Sequence, residues 1–379
     1  MDYLESAKRI ESDLDAIRQD LHRHPELGNS ENRTSDKIES MLKGMGLNVK
    51  RILGTALVAT LHGRPSGRKV ALRADMDALP VTETTGCPYS SVNQGLMHAC
   101  GHDIHMTAAL GAAMLLSGNR DALNGDVVFL FQPDEEGNGG AQRMIEAGVL
   151  EGVSAVFGGH VAPDLPLGTF GFRYGKFYAA SDVITVTVHG KSCHGATPEK
   201  GRNALLAAAE MVTALSRLHA PNNDRCVFSI GQLISGTAGN IIADKAVFTG
   251  MLRTLGPENR DFMKKAIRDT VAAIDARFGV SSEVDIHDSY GGVVNTDAET
   301  RLFEQTSRKL FGDDCTRVLD EPTMTTEDFG YFIDACSGSF CHIGAGCTEP
   351  LHSSCFLPDV KAAVYAAALY AQTVETYLK

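Results

Sequence analysis

The chain has 379 residues, a length that exceeds one ordinary core and points to two domains. Its 43% hydrophobic and 22% charged content exclude a disordered chain, and no apolar run approaches the length of a bilayer span. A formal net charge of −12 argues against nucleic acid and anionic membranes as partners and leaves small molecules as the expected ones.

The first nineteen residues mix charged and apolar side chains without the core of a signal peptide, so a cytoplasmic location is expected. Nine cysteines, an odd number without paired spacing, fit a reducing compartment better than a disulfide framework. Leu4, Ala7, Ile10, Leu14, Ile17 and Leu21 make one apolar helical stripe that must stop before Pro25. His22 and His24 flank that stop, where a cation beside the helix dipole and a role at a site are equally good readings. A second helix is expected over 34–42, then strands over 47–52, 56–61 and 69–73. The last of these runs into Asp75 and Asp77, two carboxylates that share one side of an extended chain.

Next comes the densest chemistry in the chain, His98-Ala-Cys-Gly-His-Asp-Ile-His105, with three imidazoles, a thiol and a carboxylate around one glycine. Such a grouping of soft and borderline ligands reads as half of a metal site, to be completed by Gln132-Pro-Asp-Glu-Glu136, Gly159-His160 and Leu351-His352. Helices over 106–117 and 139–149 alternate with strands over 126–131 and 154–158, and polar residues follow the strand ends. That is the pattern of an open parallel or mixed α/β sheet with its site along one edge.

From about residue 181 the texture changes. A half-exposed strand with Ile184, Val186 and Val188, a helix over 203–218, strands over 226–233 and 245–253, a helix over 257–278 and a strand over 283–287 make a βαββαβ unit. The domains expected are therefore a catalytic one, 1–180 with 292–379, and an inserted two-layer one, 181–291. The closing segment holds a helix over 298–310, Thr326-Glu-Asp-Phe329, a strand over 339–343, His352 and a final Ala-rich helix.

His22-Arg-His-Pro-Glu-Leu-Gly28, Ala71-Leu-Arg-Ala-Asp-Met-Asp-Ala-Leu-Pro80, His98-Ala-Cys-Gly-His-Asp103, Gln132-Pro-Asp-Glu-Glu-Gly137, Gly158-Gly-His160, His194-Gly-Ala, Gly236-Thr-Ala-Gly-Asn240 and Thr326-Glu-Asp-Phe329 occur in one order along nearly the whole chain. Together they resemble the dinuclear metal-dependent amidohydrolases and metallopeptidases that include aminoacylase, hippurate hydrolase, plant auxin-conjugate hydrolases and N-acetyldiaminopimelate deacetylase. The resemblance implies an α/β catalytic domain whose mixed sheet is flanked by helices, two divalent metals, and a βαββαβ lid that also dimerises the protein. Ile104, Met106 and Ala243 depart from the family's usual residues and bear on substrate preference.

Carried over by position, the resemblance makes Cys100, His102, Glu136, His160 and His352 the metal ligands, with Cys100 bridging. It makes Glu135 the general base, His194 the oxyanion stabiliser assisted by Asn240, and Arg253 the clamp for a substrate carboxylate. Asp75 is expected to orient a ligand from behind, with Asp103 a weaker candidate. A mixed S/N/O set suits Mn²⁺ or Zn²⁺ first, Co²⁺ or Ni²⁺ after them, and Mg²⁺ or Ca²⁺ poorly. The expected reaction is hydrolysis of N-acetyl or N-aroyl amino acids by a homodimer. The rival readings are a dipeptidase or aminopeptidase and a silent binding homologue.

Overall fold

A computed structural model describes residues 1–65, 67–221 and 224–379. The chain divides into two compact units, one formed by residues 1–175, 294–321 and 328–379, the other by 176–293 and 322–327.

The larger unit is an α/β structure around an eight-stranded mixed sheet. Its strands run in the order Asn48–Ile52, Ala56–Leu61, Asp126–Gln132, Lys69–Asp75, Ala155–Ala162, Ser337–Gly344, Phe170–Phe172 and Thr316–Val318. The four central strands, Asp126–Gln132, Lys69–Asp75, Ala155–Ala162 and Ser337–Gly344, are mutually parallel. They are almost continuously buried and rich in Val, Phe and Ala, as strands covered on both faces must be. Parallel central strands bring their carboxyl ends to one edge, so Asp75, Gln132 and the close of Ala155–Ala162 share that edge.

Helices His102–Ser117 and Lys361–Tyr377 pack against each other in the main core, and the close approach needs Gly111, where a Cβ would lie 2.8 Å from that of Ala367. The single helix expected from Leu4 to Leu21 is two, Tyr3–Arg9 and Glu11–Arg23, because the Ile10 N–H turns back to Ala7 O and leaves the helical path. Tyr3, Ala7, Leu14, Ile17 and Leu21 are still buried, so the stripe survives the break. The strand expected over 154–158 extends to Ala162 and carries His160 within it. The helix expected from Met106 begins four residues earlier, at His102. Two three-residue strands, Phe170–Phe172 and Thr316–Val318, were not expected and are too short to carry a periodic signal.

The smaller unit is a βαββαβ structure. Its antiparallel sheet runs Cys226–Ser235, Lys245–Thr254, Ala180–His189, Ser281–Asp288. Alternate residues Ile184, Val186, Val188, Ala246, Phe248 and Leu252 point into a core shared with helices Ala204–Leu215 and Pro257–Phe278. Pro257 opens its helix at a first-turn position, where the missing N–H costs nothing.

Candidate metal centre

The site is built where three strand ends and one helix start meet. Gly101 holds φ +84° and caps helix His102–Ser117, and a Cβ there would overlap Val161 Cγ2. Only glycine takes that left-handed turn with so little room, and the turn brings Cys100 and His102 to one side. His160 arrives on its strand, and Glu135 and Glu136 follow Asp134, itself at φ +60°. His352 returns from far along the chain, its N–H bonded to Ala99 O at 2.8 Å.

Cys100 Sγ lies 3.3 Å from His160 Nε2 and 3.3 Å from His352 Nε2, and His352 Nε2 lies 3.1 Å from Glu136 Oε1. Ligand atoms of Cys100, His102 and His160 lie within 4.8 Å of one another, as do those of Cys100, Glu136 and His352, and those of His102, Glu135 and Glu136. Cys100 belongs to two of these groups.

Hydrogen bonds set the tautomers. His102 Nδ1 donates to Asp77 O at 2.8 Å and His160 Nδ1 donates to Val161 O at 2.8 Å, so in both rings Nε2 is the nitrogen that faces the cluster. His102 Nε2 is buried and makes no hydrogen bond. Asp77 also accepts the Glu136 N–H at 3.0 Å, tying the two glutamates to the strand end that orients His102.

The electrostatics favour a cation here. Burial pushes the Cys100 thiol well above its ordinary value, and Glu136 and Glu135 push it further. Burial and the neighbouring His105 hold His160 well below its usual range. Burial alone would also lower His102, but Asp75 and Asp77 raise it to about 10. Burial opposes ionisation of Glu136, yet the bond to His352 and the charge of His102 bring it down to about 2. A pocket that holds carboxylates charged and raises its histidine is short of positive charge, and a divalent ion supplies it while stabilising the thiolate. Thiol, imidazole and carboxylate donors gathered this closely therefore fit such ions.

Behind the cluster lies a buried polar network. Arg73 bonds Asp75 Oδ2 at 2.5 Å, Gln132 Oε1 at 2.8 Å and Asp328 Oδ1 at 2.8 Å, and Gln132 bonds Asp328 at 2.7 Å. Asp75 also accepts from His105 Nδ1 at 2.6 Å, and His105 Nε2 accepts the Val161 N–H at 2.9 Å. Asp75 thus holds His105 and stands 3.8 Å from His102 Nε2, while the atom that fixes the His102 ring is the carbonyl of Asp77. Asp103 corrects the expectation more sharply: its carboxylate faces away, bonded to Arg18 Nε at 3.0 Å and His22 Nδ1 at 2.8 Å. Arg73 carried no role in the sequence reading, whereas Asp77 entered it only as one of two strand-end carboxylates, His105 and Gln132 only as members of the ligand-rich stretches, and Asp328 only as part of a motif. A buried arginine two residues before Asp75 in an apolar strand was the available signal.

In the smaller unit His194 and Asn240 come together at a short ladder in which His194 pairs with Ile241 and the Gly195 N–H bonds Asn240 O at 2.8 Å. His194 Nδ1 accepts the Ala196 N–H at 3.0 Å, which leaves the other ring nitrogen to act outward. Arg253 donates to Thr326 Oγ1 at 3.2 Å and pairs with no carboxylate among the described residues, and burial lowers its pKa.

A soft-ligand cage at the carboxyl edge of a mixed α/β sheet, in a chain with an inserted βαββαβ unit, defines a metal-dependent hydrolase of amide bonds. Residues 71–376 match the model of peptidase family M20/M25/M40, and the chain belongs to that family. It is 36% identical to N-acetyl-L-cysteine deacetylase of Bacillus subtilis, the match covering 94% of this chain and 86% of the relative. It is 38% identical to thermostable carboxypeptidase 2 of Saccharolobus solfataricus, over 93% and 92% of the two chains. A dinuclear metal-binding peptidase of the M20 family from Bacillus subtilis has the same fold, with a TM-score of 0.89 and 33% identity over 98% of this chain and 99% of that one.

Proposed function

We propose that this protein hydrolyses N-acyl amino acids to a carboxylic acid and a free amino acid. The observation that carries this reading is the convergence of the His102 and His160 Nε2 atoms on Cys100, beside two adjacent glutamates. Cys100, His102 and His160 would hold one divalent ion and Cys100, Glu136 and His352 a second, with Mn²⁺ or Zn²⁺ favoured and Co²⁺ or Ni²⁺ compatible. When bound, the two ions polarise the amide carbonyl and make water acidic enough to attack at neutral pH.

The protein's own groups do the rest. Glu135, adjacent to Glu136 and itself buried, takes the proton of the attacking water and delivers it to the leaving amine. His194 and Asn240 stabilise the oxyanion of the tetrahedral intermediate, worth roughly 10² to 10³ in rate for one good donor. Arg253, a guanidinium without a carboxylate partner among the described residues, holds the carboxylate of the amino acid. The βαββαβ unit serves as lid and dimer contact in a homodimer of the cytoplasm.

A second reading, cleavage of peptides, draws support from the relative named as a carboxypeptidase, since a C-terminal residue presents the same carboxylate to Arg253. Turnover of N-acetyl and N-benzoyl amino acids against dipeptides, after reconstitution with each divalent metal, separates the two. Faster cleavage of dipeptides across the panel would overturn the N-acyl assignment.

A further inference from the structure

Apart from the Cys100 cage, the same unit holds another group of donor atoms that the proposed reaction does not use. His22, at the end of helix Glu11–Arg23, points its Nε2 at Glu83 Oε1, 3.2 Å away, and Cys87 Sγ lies 3.7 Å from that same oxygen. All three ligand atoms lie within 4.8 Å of one another. We propose that His22 Nε2, Glu83 and Cys87 form a separate binding site for a single Zn²⁺-class ion.

Tetrahedral zinc with ordinary bond lengths places neighbouring nitrogen and oxygen ligands about 3.4 Å apart, and oxygen and sulfur ligands about 3.6 Å apart. The two measured separations, 3.2 and 3.7 Å, match those edges. A thiol is a weak hydrogen-bond donor, so direction toward a carboxylate brings it little, whereas as a thiolate it is a strong zinc ligand.

The surroundings are arranged for the same purpose. Asp103 Oδ2 accepts a hydrogen bond from His22 Nδ1–H at 2.8 Å, the carboxylate–histidine pairing that aims the other nitrogen at a metal. Ser91 N–H donates to Glu83 Oε2 at 2.6 Å and Thr85 Oγ1 donates to Oε1, holding that carboxylate in place. Cys87 is half-buried and so gives a path from solvent to the fourth coordination position. Its Sγ also lies 3.4 Å from Ser90 Oγ.

Charge balances when the ion is present. Binding releases the Cys87 thiol proton and any proton on His22 Nε2 to solvent, while His22 Nδ1 keeps its proton in the hydrogen bond to Asp103. Two positive charges on the ion and one on Arg18, which is bonded to Asp103, then face one negative charge each on Cys87, Glu83 and Asp103. The ion would clamp the C-terminal turn of helix Glu11–Arg23 to the loop that carries Glu83 and Cys87.

The test compares the full-length protein with Cys87→Ser after chelator treatment and dialysis against Zn²⁺. The unsubstituted protein should retain one equivalent more than Cys87→Ser, with unchanged turnover in the variant. Loaded with Co²⁺, it should show stronger thiolate-to-metal absorption than the variant. Glu83→Gln, which keeps the size of the side chain, should weaken the extra equivalent at least tenfold. Equal zinc content and equal Co²⁺ absorption in the unsubstituted protein and Cys87→Ser would overturn the site and leave His22 and Glu83 as an ion pair. The readout is a difference between proteins that share the Cys100 cage, so an error about that cage would move both alike.

Discussion

Glu135 and Glu136 are chemically identical neighbours in one turn, and their assigned roles diverge only through what each side chain meets. Glu136 Oε1 lies against His352 and within reach of Cys100, whereas Glu135 is grouped with His102 and Glu136. Glu136→Gln exchanges an anionic donor for a neutral amide, so metal affinity should fall and activity should partly return on adding metal. Glu135→Gln should keep its metal and lose turnover by roughly 10² to 10⁴ with no rescue. Metal analysis beside initial rates tells them apart, and an active Glu135→Gln protein would sink the assignment. Arg73 acts at the same scale by another route: it serves three buried acceptors at once, so its loss would take the guanidinium from both Asp75 and Asp328.

At the scale of elements, the start of helix His102–Ser117 decides the geometry of the site. Gly101→Ala would place a side chain in a left-handed conformation that costs roughly 1–2 kcal/mol and would overlap Val161 as well. The expected outcome is a lower urea midpoint together with weaker metal binding, because Cys100 and His102 lie on either side of the turn. Unchanged metal affinity in a destabilised Gly101→Ala protein would separate the turn from the site.

The same helix is tied to helix Glu11–Arg23 by Asp103 with Arg18 and His22. Burial alone would lower the pKa of His22, but Asp103 and the bond to Glu83 raise it to about 9. Arg18 and His22 hold Asp103 far below the usual carboxylate range. A histidine raised from about 6.5 to about 9 contributes on the order of 3 kcal/mol, fully present below pH 6.5 and lost as pH rises through 9. Asp103 works in the opposite sense, its contribution present above the ordinary carboxylate pKa of about 4 and lost in acid. Urea midpoints of metal-free protein should therefore fall between pH 7 and 10, and His22→Gln should flatten that fall. A midpoint with the same pH slope in both proteins would remove His22 as its source.

For the whole molecule, the proposed lid makes a further prediction. If the lid of one subunit serves the metals of its partner, mixing inactive Glu135→Gln protein with inactive His194→Ala protein should restore part of the activity once subunits exchange. Hybrid dimers that form and stay inactive would show that each lid serves its own chain.

The α/β class and the inserted βαββαβ unit were legible in the sequence because both rest on local periodicity. Continuous apolar runs mark the parallel strands, and alternation at Ile184, Val186 and Val188 marks the half-exposed one. Cys100, His102 and the glutamate pair stood out because their chemistry is dense over a few residues. Local pattern misled at Asp103: once the helix begins at His102, adjacent residues point about 100° apart, so Asp103 turns to Arg18 and His22 while His105, three residues on, shares the face of His102. Only the tertiary structure decided that His352 reaches Cys100 across 252 residues, that the Asp77 carbonyl selects the His102 tautomer, and that Arg73 joins two strand ends to Asp328. Each is a contact between segments distant in sequence, set by packing of the sheet edge, and a linear pattern carries no record of it.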